Sequence, residues 1–283
     1  MYRLEREDFL RSKYIVLWAT LGFQAGFINS FGFLTGGRFV SHMTGIGTQI
    51  GFSLGKNEWI FSAELLLIPV FFILGSFISG AITSARIDRN LKPKYELVIL
   101  AKPVVIFILL LTTSLGLFGS FDSVITSLGK SFLSLSLATL CGLQNGCFAT
   151  MTKGQIRTTH LTGISTDLGT DLARLAFGKL SLQESRLVHR TNISRVATFA
   201  SFASGAVVSA LISDKLGYNA LIIPGILSLA IYHSVTKISR SIDLKYKNSN
   251  IALNLLNSSE KKTDNIKIPI PSFPNKRGDL SPH

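Results

Sequence analysis

Two runs of the chain gather side chains that can donate, accept or carry a proton: Ser41-His42-Met43-Thr44-Gly45 and, 118 residues later, Thr159-His160-Leu161-Thr162-Gly163. Each offers two hydroxyls, a glycine and an imidazole, a group that exchanges its proton near neutral pH. The amides Gln24, Asn29, Gln144 and Asn145 add to them, and Arg157 stands just before the second run. Such a set suits recognition of a small polar or charged solute, with His42 and His160 able to link binding to protons. It does not suit a metal, because two imidazoles without neighbouring acidic or thiolate ligands leave a zinc site incomplete. Hydrogen-bonded structure is the plainer role for both histidines, and the amides serve equally well as clasps between helices.

The motifs of soluble chemistry are missing. There is no P-loop, no G-x-S-x-G, no H-E-x-x-H and no pair of carboxylates within an apolar stretch. Nothing in the chain makes up an ATPase domain. Cys141 and Cys147 share one apolar segment, six residues apart and so on different faces of a helix, which does not support a disulfide. The expectation is a protein that is not an enzyme and takes no cofactor.

The elements that must position these groups follow from composition. Of 283 residues, 47% are hydrophobic and only 16% charged, against roughly 25% charged in an ordinary soluble domain. Mean hydropathy is +0.38. Six apolar segments stand out: Tyr14 to Thr35, Ile60 to Ser84, Leu97 to Phe118, Phe132 to Met151, Val196 to Ser213 and Ala220 to Val235. Each is long enough, or nearly so, to cross a hydrocarbon core of about 30 Å as a helix. The fold expected is therefore all-α, a polytopic helical membrane protein of about six transmembrane helices.

The net charge of +13 would suggest nucleic acid in a soluble chain, but here its distribution reads as topology. The pieces 1–13, 85–94, 152–195 and 236–283 carry four, four, seven and nine Lys plus Arg, whereas Arg38, Lys56, Lys130 and Lys215 are the four on the other side. The positive-inside bias places both termini in the cytoplasm. Residues 1–13 read as a cytoplasmic lead-in rather than a signal peptide. The tail 236–283, rich in Asn, Ser, Lys and Pro, reads as basic and disordered. Lys102, about a third of the way into its segment, is expected to snorkel to the interface, with Glu64 near the opposite one.

The chain also repeats itself. Positions 41–51 and 159–169 agree at six of eleven residues, Gly26-Phe27-Ile28-Asn29 aligns with Gly142-Leu143-Gln144-Asn145, and Ser76-Phe77-Ile78-Ser79-Gly80-Ala81 aligns with Ser201-Phe202-Ala203-Ser204-Gly205-Ala206. Pro103 has a counterpart in Pro224. The halves are 14–118, with a polar break at 36–58, and 132–235, with a polar segment at 152–195. Three spans per half is an odd number, so the second copy enters the membrane from the other side and the repeats are inverted, an arrangement that places a binding site near the midplane. Gly26 and Gly142 allow another backbone to approach, and the S-F-x-S-G-A runs predict a contact between the second and fifth spans.

Gly36 to Lys56 and Gly154 to Gly178 are too polar for ordinary spans. Ser41 and Thr159 read as N-caps of short helices there, each leaving backbone N–H groups for a ligand. Two arrangements fit: interrupted or re-entrant helices converging on one site, or amphipathic helices lying on opposite membrane surfaces. In the second copy Arg157 and Asp167 are candidate solute contacts, while Asp171 and Arg174 read as solvated.

The stretch G-F-I-N-S-F-G-F-L-T-G-G-R-F-V-S-H-M-T-G, with G-L-Q-N and I-R-T-T-H-L-T-G in the second half, resembles the YoaK-like family of bacterial multi-pass membrane proteins, a domain-of-unknown-function family. The similarity spans roughly 14 to 235. It implies a bacterial inner-membrane protein with about six helices, and it brings no substrate with it.

From the residues, the expectation is a transporter of a small polar or charged solute. Its site is formed by Asn29, Ser41, His42, Thr44, Gly45, Gln144, Asn145, Arg157, Thr159, His160, Thr162 and Gly163. The partners expected are the lipid bilayer, a small polar solute or ion and a possible second copy of the chain, with no nucleic acid. A membrane scaffold is the alternative, and an intramembrane enzyme using the two histidines is a further one. A transporter requires a water-accessible cavity at the paired motifs, and a scaffold requires a filled core.

Overall fold

The computed structural model describes residues 2–4, 10, 12–121, 128–155 and 159–264. Among them every regular element is a helix: α1 Ser12–Gly36, α2 Met43–Gly55, α3 Trp59–Ile82, α4 Ser84–Asp88, α5 Tyr95–Ser114, α6 Leu128–Met151, α7 Leu161–Phe177, α8 Leu182–Leu216 and α9 Ile222–Asp264, with a 3-10 turn at Gly217–Leu221 before α9. Among the described residues five stretches are long and apolar enough to cross a membrane: Tyr14–Gly36, Trp59–Asp88, Tyr95–Ser114, Leu128–Met151 and Leu182–Asn248. The chain divides into a unit Met1–Asp243 and a second unit from Leu244, of which 244–264 are helical. Helix thus replaces the irregular tail that composition predicts for those residues. Positions 265–283 lie outside the described residues.

Glycine decides how the long helices of the first unit meet. A Cβ on Gly26 would collide with the backbone oxygen of Phe202, and one on Gly205 with that of Phe23, so α1 and α8 touch backbone to backbone. The same contact joins α3 and α6, where Gly142 meets the Phe72 oxygen and Gly75 the Thr139 oxygen. Both pairs run parallel, since Gly22 meets Thr198 where Gly26 meets Phe202, and Gly142 meets Phe72 where Gly146 meets Ser76. Each half's first long helix therefore packs on the other half's second.

These contacts correct two details of the repeat. The S-F-x-S-G-A runs do not join the second and fifth spans, because Ser76 Oγ donates to the Gly142 oxygen on α6 at 3.0 Å, while Gly205 meets α1. Nor are Gly80 and Gly205 equivalent in packing. Gly80 has nothing near it, and the partner of Gly205 is Gly75. The same offset of 130 brings Ser79 onto Ser209, both fully buried with hydroxyls that find no hydrogen-bond acceptor.

Helices α1 and α6, which carry the aligned Gly26 and Gly142, run in opposite directions. Trp18 at the start of α1 packs edge-on against Phe148 near the end of α6, with ring centroids 5.7 Å apart, and a Cβ on Gly36 at the end of α1 would lie 3.0 Å from Ser134 Oγ near the start of α6. Helix α9 also opposes α1, because Gln24 reaches Pro224 and Ser228 whereas Tyr14 and Leu17 share a cavity with Ile238 and Ile231. As α8 parallels α1, the chain reverses at Gly217, whose φ of +54° suits the residue without a side chain. Within the first unit the stretch from Leu182 to Asp243 is thus two helices folded back on each other.

One end of the unit gathers the basic loops. There Leu4 N donates to the Met151 oxygen at 2.9 Å, Tyr95 Oη to the Tyr2 oxygen at 2.8 Å and Lys92 Nζ to Asp243 Oδ2 at 3.1 Å. Helix α8 begins well before its apolar part because Ser181 and Glu184 form a capping box, each side chain bonding the other's backbone N–H. At the opposite end Arg38 and Glu64 pair, and Phe121 and Tyr218 stack edge-on at 5.2 Å.

Candidate functional site

Helices α2 and α7 contain 13 and 17 residues, about 20 and 26 Å at 1.5 Å per residue, and neither is among the stretches long and apolar enough to cross a membrane. Each is held at its start by an amide from the long helix before it. Asn29 Oδ1 accepts from both Ser41 N and Ser41 Oγ at 3.0 Å, and Asn145 Nδ2 donates to Thr159 Oγ1. Asn29 lies seven residues before the end of α1, so this anchor draws the chain back roughly 10 Å along that helix before α2 begins. Ser41 and Thr159 are consequently not the caps that their hydroxyls suggest. The N-cap positions belong to His42 and His160, neither of which makes a side-chain cap bond.

The imidazoles instead fold over the first turn of their own helices. A Cβ on Gly45 would strike the His42 ring, and one on Gly163 would lie 2.6 Å from His160 Nδ1. The glycine in each H-x-x-G thus provides room for the ring. Phe39 meets His42 edge-on at 5.8 Å on the first side.

Both motifs open onto one cavity of about 440 Å³. Asn29, Ser41, His42 and Thr44 line it from the first half, and Asn145, Thr159, His160 and Thr162 from the second. His42, Thr44, His160 and Thr162 are exposed, and Asn29 and Ser41 are buried. The starts of α2 and α7 meet here, so two sets of unbonded backbone N–H groups, with the positive ends of two helix dipoles, border the same space. Among the described residues no carboxylate lines it. Ser76, Phe72 and Phe202 also line it, although spacing marked the segments holding Ser76 and Phe202 only for packing. Gly45 and Gly163 act as supports beneath the rings, and Arg157 lies outside the described residues.

Gln144 is placed elsewhere. Its Oε1 accepts from Lys102 Nζ, as does Gln24 Oε1 at 2.7 Å. Lys102 is only 3% exposed and does not snorkel. The interior offers its ammonium two amide oxygens, and reaching the interface would give up both bonds. Gln24 Nε2 donates onward to the Pro224 oxygen at 2.7 Å and to Ser228 Oγ at 2.6 Å. This chain of bonds joins α5, α1, α6 and α9.

The charged residues of α7 have partners of their own. Arg195 on α8 donates to Asp171 Oδ2 at 2.6 Å and to Asp167 Oδ2 at 3.1 Å, and Arg174 donates to Asp171 Oδ1 at 2.9 Å. Partial burial works to raise the Asp171 carboxyl, but the bonds from Arg195 and Arg174 outweigh it and hold the group below the usual carboxylate range. Asp167 and Asp171 thus fasten α7 to α8 and do not line the cavity.

Among the described residues no group of three or more His, Cys, Asp or Glu is placed to hold a metal ion. A model of the family described as "Protein of unknown function (DUF1275)" matches residues 17–234, close to the stretch 14–235 that carries the sequence resemblance. No curated protein matches the chain, and no solved structure does.

Proposed function

We propose, for a chain that belongs to the DUF1275 family, that it carries a small polar or negatively charged solute across the bacterial cytoplasmic membrane through the cavity between its two motifs. The observation that carries this reading is the convergence of Asn29, Ser41, His42 and Thr44 with Asn145, Thr159, His160 and Thr162 on one space. A scaffold has no use for such a cavity. What meets there are hydrogen-bonding groups and helix starts, which bind a solute without changing it. The absence of a lining carboxylate among the described residues and the two positive helix ends favour a solute bearing negative charge.

In this reading the halves 14–118 and 132–235 are inverted repeats of three crossings each, with α2 and α7 as re-entrant helices. The opposed courses of α1 and α6 support it, as do the parallel pairs α1 with α8 and α3 with α6. The basic end of the bundle and both termini face the cytoplasm. Alternating access then takes the form of one half rocking against the other about the shared cavity.

The test is uptake into proteoliposomes of a panel of labelled small anions and neutral polar solutes. The wild-type chain transports at least one of them, and Thr44→Val and Thr162→Val, which keep the volume of the exposed side chains, each reduce that flux. Absence of flux across the panel from folded protein overturns the reading. Cysteines introduced at the exposed positions 56 and 179 should label from opposite sides of the membrane, and labelling from the same side rejects the inverted arrangement.

A further inference from the structure

We infer that the crevice between α1 and α9 is a binding site for one anionic phospholipid. The two helices are tied at one level by Gln24, which donates to the Pro224 oxygen and Ser228 Oγ. Below that tie, toward the start of α1, they part around a cavity of about 310 Å³. Leu17 and Ile231 line it, and Val16 beside them is 67% exposed, which marks the open side as the outer face of the bundle. In a membrane protein that face meets lipid. Two apolar walls held apart there lose their packing contacts unless a chain lies between them.

The polar end of the crevice identifies what the chain is attached to. Lys237 stands there between Ser234 and Ser241, at neighbouring positions on one face of α9. Ser234 Oγ donates to the Ala230 oxygen at 3.0 Å, leaving Lys237 and Ser241 as donors toward a ligand. Among the described residues no carboxylate lines the cavity, and Asp243, the acid nearest Lys237 along the chain, is held by Lys92. An ammonium and a hydroxyl at the wet end of an apolar slot match a phosphate esterified to an acyl-bearing glycerol, and the positive charge selects a headgroup of net negative charge. A free phosphate ion would leave Leu17 and Ile231 uncovered.

Native mass spectrometry of the full chain, given equal amounts of phosphatidylglycerol and phosphatidylcholine in detergent, tests the assignment without reference to transport. The wild type retains phosphatidylglycerol in preference. Lys237→Gln, at an exposed position, cuts that preference about fivefold, the contribution of one basic residue at a membrane surface. Ile231→Trp fills the slot and lowers retention of both lipids, while inorganic phosphate at the same concentration displaces neither. Equal retention of the two lipids by the wild type overturns the proposal. So does a preference that survives Lys237→Gln, retention indifferent to Ile231→Trp, or displacement by inorganic phosphate.

Discussion

The His160 ring rests on Gly163 so closely that a Cβ at 163 would lie 2.6 Å from Nδ1, and His42 rests on Gly45 in the same way. Both glycines sit in the first turn of a helix, where alanine is the better helix former by about 1 kcal/mol. The groups in the way are ends of flexible side chains, so the rings yield and the backbone does not. Gly45→Ala and Gly163→Ala should therefore melt at or slightly above the wild-type temperature while displacing the imidazoles from their places at the cavity. Faster modification of the histidines by diethyl pyrocarbonate, with lower solute flux and an unchanged melt, is the expected result. A large loss of stability would mean that the glycines serve the backbone instead.

Asn29 uses only its oxygen toward Ser41, accepting from N–H and O–H together. Asn29→Asp keeps both bonds, whereas Asn29→Ala leaves a buried backbone N–H and hydroxyl unmatched, at about 1–3 kcal/mol. Thermal melts should rank the wild type and the Asp variant together, well above the Ala variant. Equal loss in both variants would show that the anchor needs the amide nitrogen.

The paired runs were legible because identical residues recur in order, and the α1 and α6 contacts because Gly26 and Gly142 stand one turn before Asn29 and Asn145. Lys102 was not legible. About a third of the way into an apolar segment a lysine looks able to reach water, and the residues that hold it, Gln24 and Gln144, lie 78 and 42 positions away. The capping role of Ser41 and Thr159 failed for a similar reason. A hydroxyl before a helix is a local cue, but Asn29 and Asn145 compete for it across a helix pair. The offset between α3 and α8 failed because matched letters in S-F-x-S-G-A say which residues are alike and not which face meets a neighbour.

Lys102 donates to two buried amide oxygens, so removing it takes a donor from α1 and from α6 at once. Lys102→Met should lower stability by about 1–3 kcal/mol. Lys102→Gln still supplies an N–H donor and should fall between the Met variant and the wild type. Equal melts for Met and wild type would mean that burying the uncompensated charge costs as much as the bonds return.

Because Arg195 and Arg174 hold Asp171 below the usual carboxylate range, its contribution to stability is fully present above the ordinary carboxylate pKa of about 4 and is lost as pH falls through the lower folded value. Hydrogen exchange at the junction of α7 and α8 should accelerate on acidification below about pH 4, and Asp171→Asn should flatten that dependence. An unchanged profile in the Asn variant would assign the acid sensitivity to other carboxylates.

The offset of 130 between α3 and α8 separates two glycines that look alike in sequence. At Gly75 and Gly205 an added methyl meets backbone oxygen on the partner helix, which cannot move aside without parting α3 from α6 or α8 from α1. At Gly80 nothing stands within 4 Å. Gly75→Ala and Gly205→Ala should each cost about 1–3 kcal/mol through overpacking, and Gly80→Ala should gain up to about 1 kcal/mol from helix propensity. Chemical denaturation in mild detergent measures all three. Loss at Gly80 matching that at Gly205 would restore the offset of 125 that the hexamers suggest and would uncouple α3 from the contact described for α6.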